Sequence, residues 1–432
     1  MVQQLSFLPD LDSNNILDRH IERQKDILIV PEGLDTIPYT HGIHRFPGKF
    51  IPDIPRYILH NILLREKERT IYDPFCGSGT ALVEAAIDSR PFLGKDIDPL
   101  AVMIAKAKTT PIPETQLLEL ERFWQHHNFS REASDLIPAV PNLQHWFNEE
   151  ALVQLSSIKA HCLGLPSLLS DFSMVVFSSI IRRVSNADDQ TQKTYVSHTL
   201  PKKPPLPAAI FPVFLERAIV GMREYCKALP AAPRGHISIG DSRIDDLEID
   251  CFDVLTSPPY IDSIDYVYNQ LLEYFWLLAE LGIHTYDRLR AFRKVPMGQR
   301  FSKYQGDEAF DFAPYLNTYS KRFHKVCKEI GKVNPREEKV VKSFFADFVM
   351  HISTIHKHQQ KGCYYVCIVG NSQIRGVTVP TVDLVGEILK AYGYDLEDRF
   401  IYEIRRHYMK FPRRANSGKI KEDHVLVFRL VK

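Results

Sequence analysis

The sequence predicts an α/β fold built on a doubly wound, mostly parallel sheet. Two loop motifs support this prediction, and so does the order of strands and helix expected near the C-terminus. In each motif a short apolar run leads into a loop: residues 70–72 precede Asp73-Pro74-Phe75-Cys76-Gly77-Ser78-Gly79-Thr80, and residues 251–256 precede Ser257-Pro258-Pro259-Tyr260. Loops at the carboxyl ends of parallel strands are where such folds bind ligands. Toward the C-terminus, strands are expected at 363–369, 398–404 and 424–430, with a helix at 382–392. This β-α-β-β ending suits a sheet whose last pair is antiparallel.

The first motif has the features of a loop that holds a nucleotide-like ligand. Gly77 and Gly79 lack a Cβ, so the backbone can turn tightly and approach a ligand closely. A helix is predicted to begin at Thr80, because apolar and helix-favouring residues follow it as far as Ile87. No Lys-Ser/Thr pair follows the glycines, as a loop that binds a nucleoside triphosphate would require. The third glycine of the dinucleotide-binding fingerprint is also missing from its usual position. A ligand with ribose and adenine but no phosphate fits better, and S-adenosylmethionine is such a ligand.

Asp96 is the candidate contact to the ribose. The run 91–96 is expected to be the next strand, and its terminal carboxylate lies 17 positions after Gly79. This is close to the ~20-residue offset at which an acidic residue reaches ribose hydroxyls in such folds. The other interpretation of Asp96 is a cap for a helix that begins near Pro99.

The second motif is suited to hold a planar base and its amino group. The prolines fix their φ angles, so the loop is stiff and the direction of the Pro258 carbonyl is preset. Ser257 offers a hydroxyl oxygen as a second acceptor, and Tyr260 offers an aromatic face. The other interpretation is a rigid turn that closes a buried strand.

In combination the two motifs resemble those of the amino-type DNA methyltransferases, and Thr256-Ser257-Pro258-Pro259-Tyr260 looks most like the cytosine-N4 branch. The resemblance covers about residues 41–110 and 236–280, and it implies a Rossmann-like, seven-stranded methyltransferase sheet with S-adenosylmethionine as cofactor. It also implies that the target base is flipped out of the duplex. Adenine-N6 enzymes more often carry Asp or Asn where this chain has Ser257.

The resemblance also assigns roles to residues. Those implied to bind the cofactor are Phe46, Pro47, Lys49 and Phe50 in a lid segment, Asp73, Phe75, Cys76, Gly77, Ser78, Gly79 and Thr80 in the glycine loop, Asp96 and Ile97 at the ribose, and Asp241 and Ser242 near the adenine. Ser257, Pro258, Pro259 and Tyr260 are implied to hold the target base. The reaction expected is direct transfer to nitrogen, because no cysteine flanks the prolines.

Two basic clusters are candidate contacts to DNA phosphates. The first has six basic residues against one acidic residue between Tyr286 and Tyr304, and the second follows residue 404. The candidates are Arg288, Arg290, Arg293, Lys294, Arg300, Lys303, Arg413 and Arg414. Phosphate contacts raise affinity without reading sequence, so these residues do not reveal a target site. The other interpretation is two solvated loops.

Composition favours a cytoplasmic enzyme with no membrane segment and no metal, and double-stranded DNA is the partner that the resemblance implies. The net charge is +1, no run of 18 apolar residues occurs, and the seven cysteines show no zinc-like spacing. No nuclease motif is visible, so a restriction endonuclease partner would be a separate chain. We divide the chain into a lid and cofactor part at 1–112, a mainly helical insertion at 113–235, and a catalytic part at 236–432. The insertion is either the target-recognition region or an elaboration of the cofactor part.

Two other functions remain open at this point. An RNA guanine-N2 methyltransferase has a similar glycine loop, although such enzymes usually carry Asp-Pro-Pro-Tyr and an RNA-binding domain ahead of the loop. Only 72 residues precede Asp73 here. A catalytically silent DNA-binding module would be a different class, but every position that the chemistry needs is filled.

Overall fold

The computed structural model describes residues 21–31, 37–49, 51–64, 67–125, 129, 133–189, 193–197, 199–261, 265–298, 321–403 and 422–432. The strands are β1 (Glu22–Gln24), β2 (Ile27–Ile29), β3 (Ile71–Asp73), β4 (Phe92–Asp96), β5 (Gly235–Ile239), β6 (Asp253–Thr256), β7 (Tyr364–Val369), β8 (Ser372–Ile374), β9 (Val377–Val379), β10 (Tyr394–Glu403) and β11 (Glu422–Leu430).

The α-helices are α1 (Asp53–Asn61), α2 (Thr80–Ile87), α3 (Pro99–Thr109), α4 (Glu114–Gln125), α5 (Leu143–Trp146), α6 (Glu149–Leu163), α7 (Ser167–Ile181), α8 (Pro207–Ala228), α9 (Tyr266–Asn269), α10 (Leu271–Leu277), α11 (Tyr286–Phe292), α12 (Lys321–Val333), α13 (Pro335–His358) and α14 (Thr381–Ala391). Two 3-10 turns, Tyr39–Gly42 and Ser134–Leu136, complete the described elements.

The main sheet has the strand order β1-β2-β10-β11-β7-β6-β3-β4-β5. Strands β5, β4, β3, β6 and β7 are parallel, while β11 is antiparallel to both β7 and β10. The parallel strands in the middle are buried on both faces, which explains why β7 reads as a continuous apolar run. The predicted α/β class with a mostly parallel sheet and an antiparallel end is confirmed.

The sheet has two strands more than the seven expected. The hairpin of β1 and β2 extends it beside β10, where Ile401 pairs with Ile27 and the side chains of Arg23 and Asp398 form an ion pair. Each hairpin strand is three residues long. A segment that short has no alternation from which a strand could be predicted.

Helices of the insertion pack on the same face of the sheet as α2 and α3. The α7 helix is apolar on nearly every side, and ten of its residues are buried. A helix of this kind has to lie inside a core. Its side chains join those of α3, α8 and α10 in one continuous hydrophobic cluster. No helix within the described ranges has the length and apolar character needed to cross a membrane.

Candidate active site

A cleft lies where the central parallel strands end in loops. The space in it that no atom fills, with the open solvent at its mouth included, is about 850 Å³. Its walls come from the lid segment, the glycine loop, the ends of β4 and β5, the Ser-Pro-Pro-Tyr loop and the loop after α11. The lining residues are Phe46, Pro47, Gly48, Lys49, Pro74, Phe75, Cys76, Gly77, Ser78, Thr80, Asp96, Ile97, Asp98, Gly240, Asp241, Ser242, Arg243, Ser257, Pro259, Tyr266, Pro296 and Met297.

The glycine loop has the geometry that its sequence predicts. Gly77 and Gly79 both have positive φ, at 48° and 77°, and α2 begins at Thr80. A Cβ on Gly77 would lie 3.2 Å from the ring of Phe46, whereas one on Gly79 would lie 2.9 Å from the side chain of Ala105. Gly77 therefore keeps space at the cleft, and Gly79 allows the loop to pack on α3.

Asp96 holds the glycine loop against the end of β4. Its carboxylate accepts hydrogen bonds from the backbone N–H of Gly77 at 2.8 Å and of Asp98 at 2.9 Å. Burial, followed by the charge of Asp98, raises the pKa of Asp96 to about 7, and the two backbone bonds oppose this shift. Each carboxylate oxygen retains a further lone pair for a ligand.

Asp98, rather than Asp96, caps α3. Its Oδ1 accepts from the backbone N–H of Leu100 at 2.8 Å and from the hydroxyl of Tyr274 at 2.6 Å. Its Oδ2 is buried and has no hydrogen-bond partner among the described residues, and the same is true of Ser78 Oγ. Both residues line the cleft. A buried polar atom without a partner is costly, so these two atoms are places where a polar ligand would be bound.

Asp73 lies beneath the cleft rather than on its wall. It is 1% exposed, and its Oδ1 accepts from the hydroxyl of Thr256 at 2.6 Å and from the backbone N–H of Phe75 at 3.2 Å. Burial raises its pKa to about 7 against these two bonds. Thr256 directly precedes Ser257, so Asp73 joins the glycine loop to the second motif.

The lid segment closes one side of the cleft. Phe46 stacks on Tyr266 with ring centroids 6.0 Å apart, and Lys49 Nζ donates to the carbonyl of His41 at 2.9 Å. Pro47 also lines the cleft, whereas Phe50 lies outside the described residues. The lid and the helix after the second motif therefore meet over the glycine loop.

Asp241 is held by Arg243. The guanidinium of Arg243 donates to Asp241 at 2.7 and 2.6 Å, to Asp347 on α13 at 2.8 Å and to the carbonyl of Val295 at 3.1 Å. Arg243 also lines the cleft, and sequence reasoning did not identify it. Only its position two residues after Asp241 could have indicated Arg243 from the sequence, because its other partners, Asp347 and Val295, are distant in sequence.

The Ser-Pro-Pro-Tyr loop contributes Ser257 and Pro259 to the lining of the cleft. The hydroxyl of Ser257 donates to the carbonyl of Ile368 on β7 at 3.1 Å. Pro259 lines the cleft, whereas Pro258 is buried beside it. The hydroxyl of Tyr260 donates to Asp423 on β11 at 2.6 Å.

The first basic cluster begins on α11 and ends against the second motif. Arg288, Arg290 and Lys294 are exposed. Arg293 differs, because its Nε donates to Asp265 at 2.6 Å and its guanidinium lies 4.8 Å from the ring centroid of Tyr268. Of the remaining candidates, Arg300, Lys303, Arg413 and Arg414 lie outside the described residues.

The loop after α11 also completes the cleft. Pro296 and Met297 line it, and a Cβ on Gly298 would lie 2.8 Å from the carbonyl oxygen of Tyr260. The segment that carries the basic residues thus packs directly on the Ser-Pro-Pro-Tyr loop. In the part of the chain that the structure describes, no three His, Cys, Asp or Glu side chains are grouped as metal ligands.

Comparisons with known proteins indicate a methyltransferase. Residues 57–130 match the family model described as "RMKL-like, methyltransferase domain". The chain is 27% identical over 412 residues to the Type II methyltransferase M.MvaI of Kocuria varians, a match that covers 89% of this chain and 87% of that protein. Over 99 residues it is 33% identical to the Type II methyltransferase M.MjaII of Methanocaldococcus jannaschii, covering 22% of this chain and 18% of that one.

Among solved structures, the rRNA methyltransferase aviRa from Streptomyces viridochromogenes aligns with 90% of this chain and 89% of its own, at 12% identity and a TM-score of 0.32. That likeness is too distant to bear on the activity. The match to M.MvaI spans both motifs and the insertion between them, and the cleft offers unpaired polar atoms and a glycine-lined wall to S-adenosylmethionine. The chain is therefore a methyltransferase that uses S-adenosylmethionine, and over most of its length it is similar to a Type II methyltransferase.

Proposed function

We propose that this chain methylates the exocyclic N4 of cytosine in double-stranded DNA, on a base flipped out of the duplex, as the modification enzyme of a restriction-modification system. The observation that carries the proposal is the hydrogen bond from Ser257 to the carbonyl of Ile368 at 3.1 Å. Because the only hydroxyl proton is donated there, the oxygen of Ser257 is left to accept. Ser257 is one of the residues that line the cleft.

An acceptor at this position suits an amino group as substrate. The lone pair of an exocyclic amine is delocalised into the ring, so the amine is a weak nucleophile. Acceptors aimed at its N–H groups draw the nitrogen toward tetrahedral geometry and free the lone pair. S-adenosylmethionine supplies the methyl group as an electrophile on its sulfonium. Ser257 and the carbonyl of Pro258 orient the amine, and the ring of Tyr260 stacks on the base.

The cofactor loop offers no nucleophile that would favour a covalent route. Cys76 is 4% exposed, and burial raises the pKa of its thiol far above the usual range. A thiol that stays protonated is a poor nucleophile. This supports direct transfer to nitrogen.

The exposed part of the first basic cluster suits the DNA backbone. We propose that Arg288, Arg290 and Lys294 contact phosphates, together with Arg300, Lys303, Arg413 and Arg414. Arg293 has a different part, since Asp265 and Tyr268 hold it against the helix that contributes Tyr266 to the cleft. Arg293 fixes the end of α11, from which the proposed DNA-contacting segment continues.

We further propose that the insertion at 113–235 contributes to target recognition. Arg182 at the end of α7 donates to the carbonyl of Asn269 at 3.0 Å, and Thr194 donates to the same oxygen at 3.2 Å. Asn269 lies one turn after Tyr266. Arg182 and Thr194, which lie before and after the polar stretch that follows α7, are thus both bonded to the helix that borders the cleft. The restriction-modification role is supported by the relatives, which are designated Type II methyltransferases.

The test is the identity of the methylated nucleoside. DNA from a host without its own methyltransferases, expressing this chain, would be digested and analysed by mass spectrometry. We expect N4-methylcytosine in cells with the wild-type chain and much less of it in cells with Tyr260→Ala, which removes a stacking face worth ~1–3 kcal/mol. Detection of N6-methyladenine would keep the mechanism and change the base, whereas 5-methylcytosine would contradict the mechanism.

A second experiment tests whether the substrate is DNA or RNA. The purified enzyme and labelled S-adenosylmethionine would be incubated with duplex DNA or with total RNA. Label in RNA alone, in guanine N2, would overturn the DNA assignment. Binding of the cofactor without transfer to either nucleic acid would instead support a silent module.

A further inference from the structure

The hydroxyl of Tyr260 is bound in a network that joins three parts of the fold. Tyr260 Oη donates to Asp423 Oδ1 at 2.6 Å, and Tyr402 Oη donates to Asp423 Oδ2 at 3.0 Å. Tyr260 follows β6, Tyr402 lies on β10 and Asp423 lies on β11. Tyr402 and Asp423 are direct partners across the β10–β11 ladder, so two strands of the sheet fix the position of the carboxylate.

The carboxylate is buried and satisfied by tyrosines. Asp423 is 7% exposed and Tyr402 is 5% exposed. Burial raises the pKa of Asp423, and the hydrogen bonds from Tyr260 and Tyr402 lower it. A buried carboxylate costs free energy unless its oxygens are bonded. The contact of 2.6 Å is in the range of short O–H···O⁻ bonds, which are stronger than neutral ones.

The network holds the Tyr260 ring at both ends. At one end, the backbone belongs to a loop stiffened by two prolines and packed on Gly298. At the other end, the hydroxyl is bound to a carboxylate that the sheet fixes. Since the axis of a tyrosine ring runs from Cβ to Oη, fixing both ends sets the direction of that axis.

We propose that Asp423 is a positioning residue that holds the Tyr260 ring where the flipped base stacks, while Tyr402 satisfies its second oxygen. This rests on the proposed function, in which Tyr260 is the stacking face. Asp423 itself does not line the cleft. Its effect on the reaction passes through Tyr260 alone.

The two tyrosines give a matched pair of variants. Tyr260→Phe and Tyr402→Phe each remove one hydroxyl from the same carboxylate, but only the first frees the catalytic ring. We expect Tyr260→Phe and Asp423→Ala to lower kcat by about ten- to a hundredfold, as misplacement of a reacting group by ~1 Å does. Tyr402→Phe should cost at most about threefold. The KM for S-adenosylmethionine should change little in all three.

The double variant Tyr260→Phe/Asp423→Ala separates positioning from a general structural role. If Asp423 acts through the Tyr260 hydroxyl, the double variant should be no slower than Tyr260→Phe, because the two losses are one interaction. Asp423→Asn, which retains one acceptor, should recover part of the kcat lost in Asp423→Ala. A duplex with 2-aminopurine at the target position should fluoresce more with Tyr260→Phe than with wild type, because the flipped base is stacked less firmly.

Three results would overturn the inference. These are multiplicative losses in the double variant, an equal loss of kcat in Tyr402→Phe and Tyr260→Phe, or unchanged kcat in Tyr260→Phe. If Asp423→Ala does not fold, the two phenylalanine variants still decide, since both keep the carboxylate. A wild-type enzyme that methylates no DNA amino group would instead remove the proposed function, and this inference with it.

Discussion

At the scale of single residues, Gly77 and Gly376 both have positive φ but differ in their surroundings. Their φ angles are 48° and 82°, both in the region that favours glycine. A Cβ on Gly77 would lie 3.2 Å from Phe46 on the cleft wall, whereas nothing lies within 4 Å of a Cβ on Gly376. A pair of alanine variants therefore separates backbone strain from loss of the ligand site.

We expect Gly77→Ala and Gly376→Ala to lose similar stability, about 1–2 kcal/mol each, because a residue with a Cβ is strained at positive φ. Only Gly77→Ala should also weaken S-adenosylmethionine binding, by about tenfold or more. Calorimetric titration and thermal unfolding measure the two effects. Unchanged cofactor affinity in folded Gly77→Ala would contradict the assignment of this loop.

Asp98 provides a second test at this scale. Asparagine can replace it as the cap of α3 and can still accept from Tyr274, so Asp98→Asn should unfold at nearly the wild-type temperature. The charge on the unpaired Oδ2 is lost, and charged hydrogen bonds are worth ~1.5–3 kcal/mol. We expect S-adenosylmethionine to bind about ten- to a hundredfold more weakly. Wild-type affinity in Asp98→Asn would show that Oδ2 does not contact the cofactor.

At the scale of elements, the segment from α11 to Gly298 combines two kinds of basic residue. Arg290 and Lys294 are exposed, while Arg293 is bound by Asp265. Exposed cations that neutralise phosphates raise affinity for any sequence. For Arg293, which is held in an ion pair, we propose an effect on the geometry of the Ser-Pro-Pro-Tyr loop instead.

Arg290→Ala/Lys294→Ala should therefore weaken binding equally for cognate and unrelated duplexes. The slope of log K against log salt should flatten by up to ~2 units, at ~0.9 per phosphate. Arg293→Ala should flatten the slope less than the double variant does, and it should reduce kcat. Fluorescence anisotropy at several salt concentrations measures the slope. A change in the methylated sequence at constant affinity would assign these residues to base recognition.

At the scale of the whole molecule, a buried carboxylate connects the two motifs. Asp73 on β3 accepts from Thr256 on β6, and its pKa is raised by burial to about 7 from an ordinary 3.8. The folded protein thus binds this proton more tightly than the unfolded chain. The contribution of Asp73 to stability is largest below about pH 4 and declines as the pH rises toward 7.

We expect Asp73→Asn to remove that decline. Urea unfolding from pH 4 to pH 8 should show the free energy of unfolding of wild type falling relative to Asp73→Asn, by a few kcal/mol in order of magnitude. Asp135→Asn, at an exposed position, is the control and should follow wild type. A constant difference between wild type and Asp73→Asn across this range would mean that Asp73 keeps an ordinary pKa in the folded protein.

The sequence by itself determined the local parts of this protein. Positive φ at Gly77 and Gly79, a helix from Thr80 and a strand ending at Asp96 all follow from neighbouring residues, because turn, cap and strand preferences act over a few positions. The same holds for the stiff Ser-Pro-Pro-Tyr loop. These motifs were enough to predict the α/β class, the cofactor and the similarity to DNA methyltransferases.

Only the tertiary structure decided which distant side chains meet. Thr256 is 183 positions from Asp73, and Asp423 is 163 positions from Tyr260. No local pattern marks such pairs, since they arise from the order of strands in the sheet. Burial is also a property of the assembled fold, and it gives Asp73 its raised pKa and leaves Asp98 Oδ2 without a partner among the described residues. The sequence indicates which groups could do the chemistry, and the folded sheet determines the distances between them and their exposure to solvent.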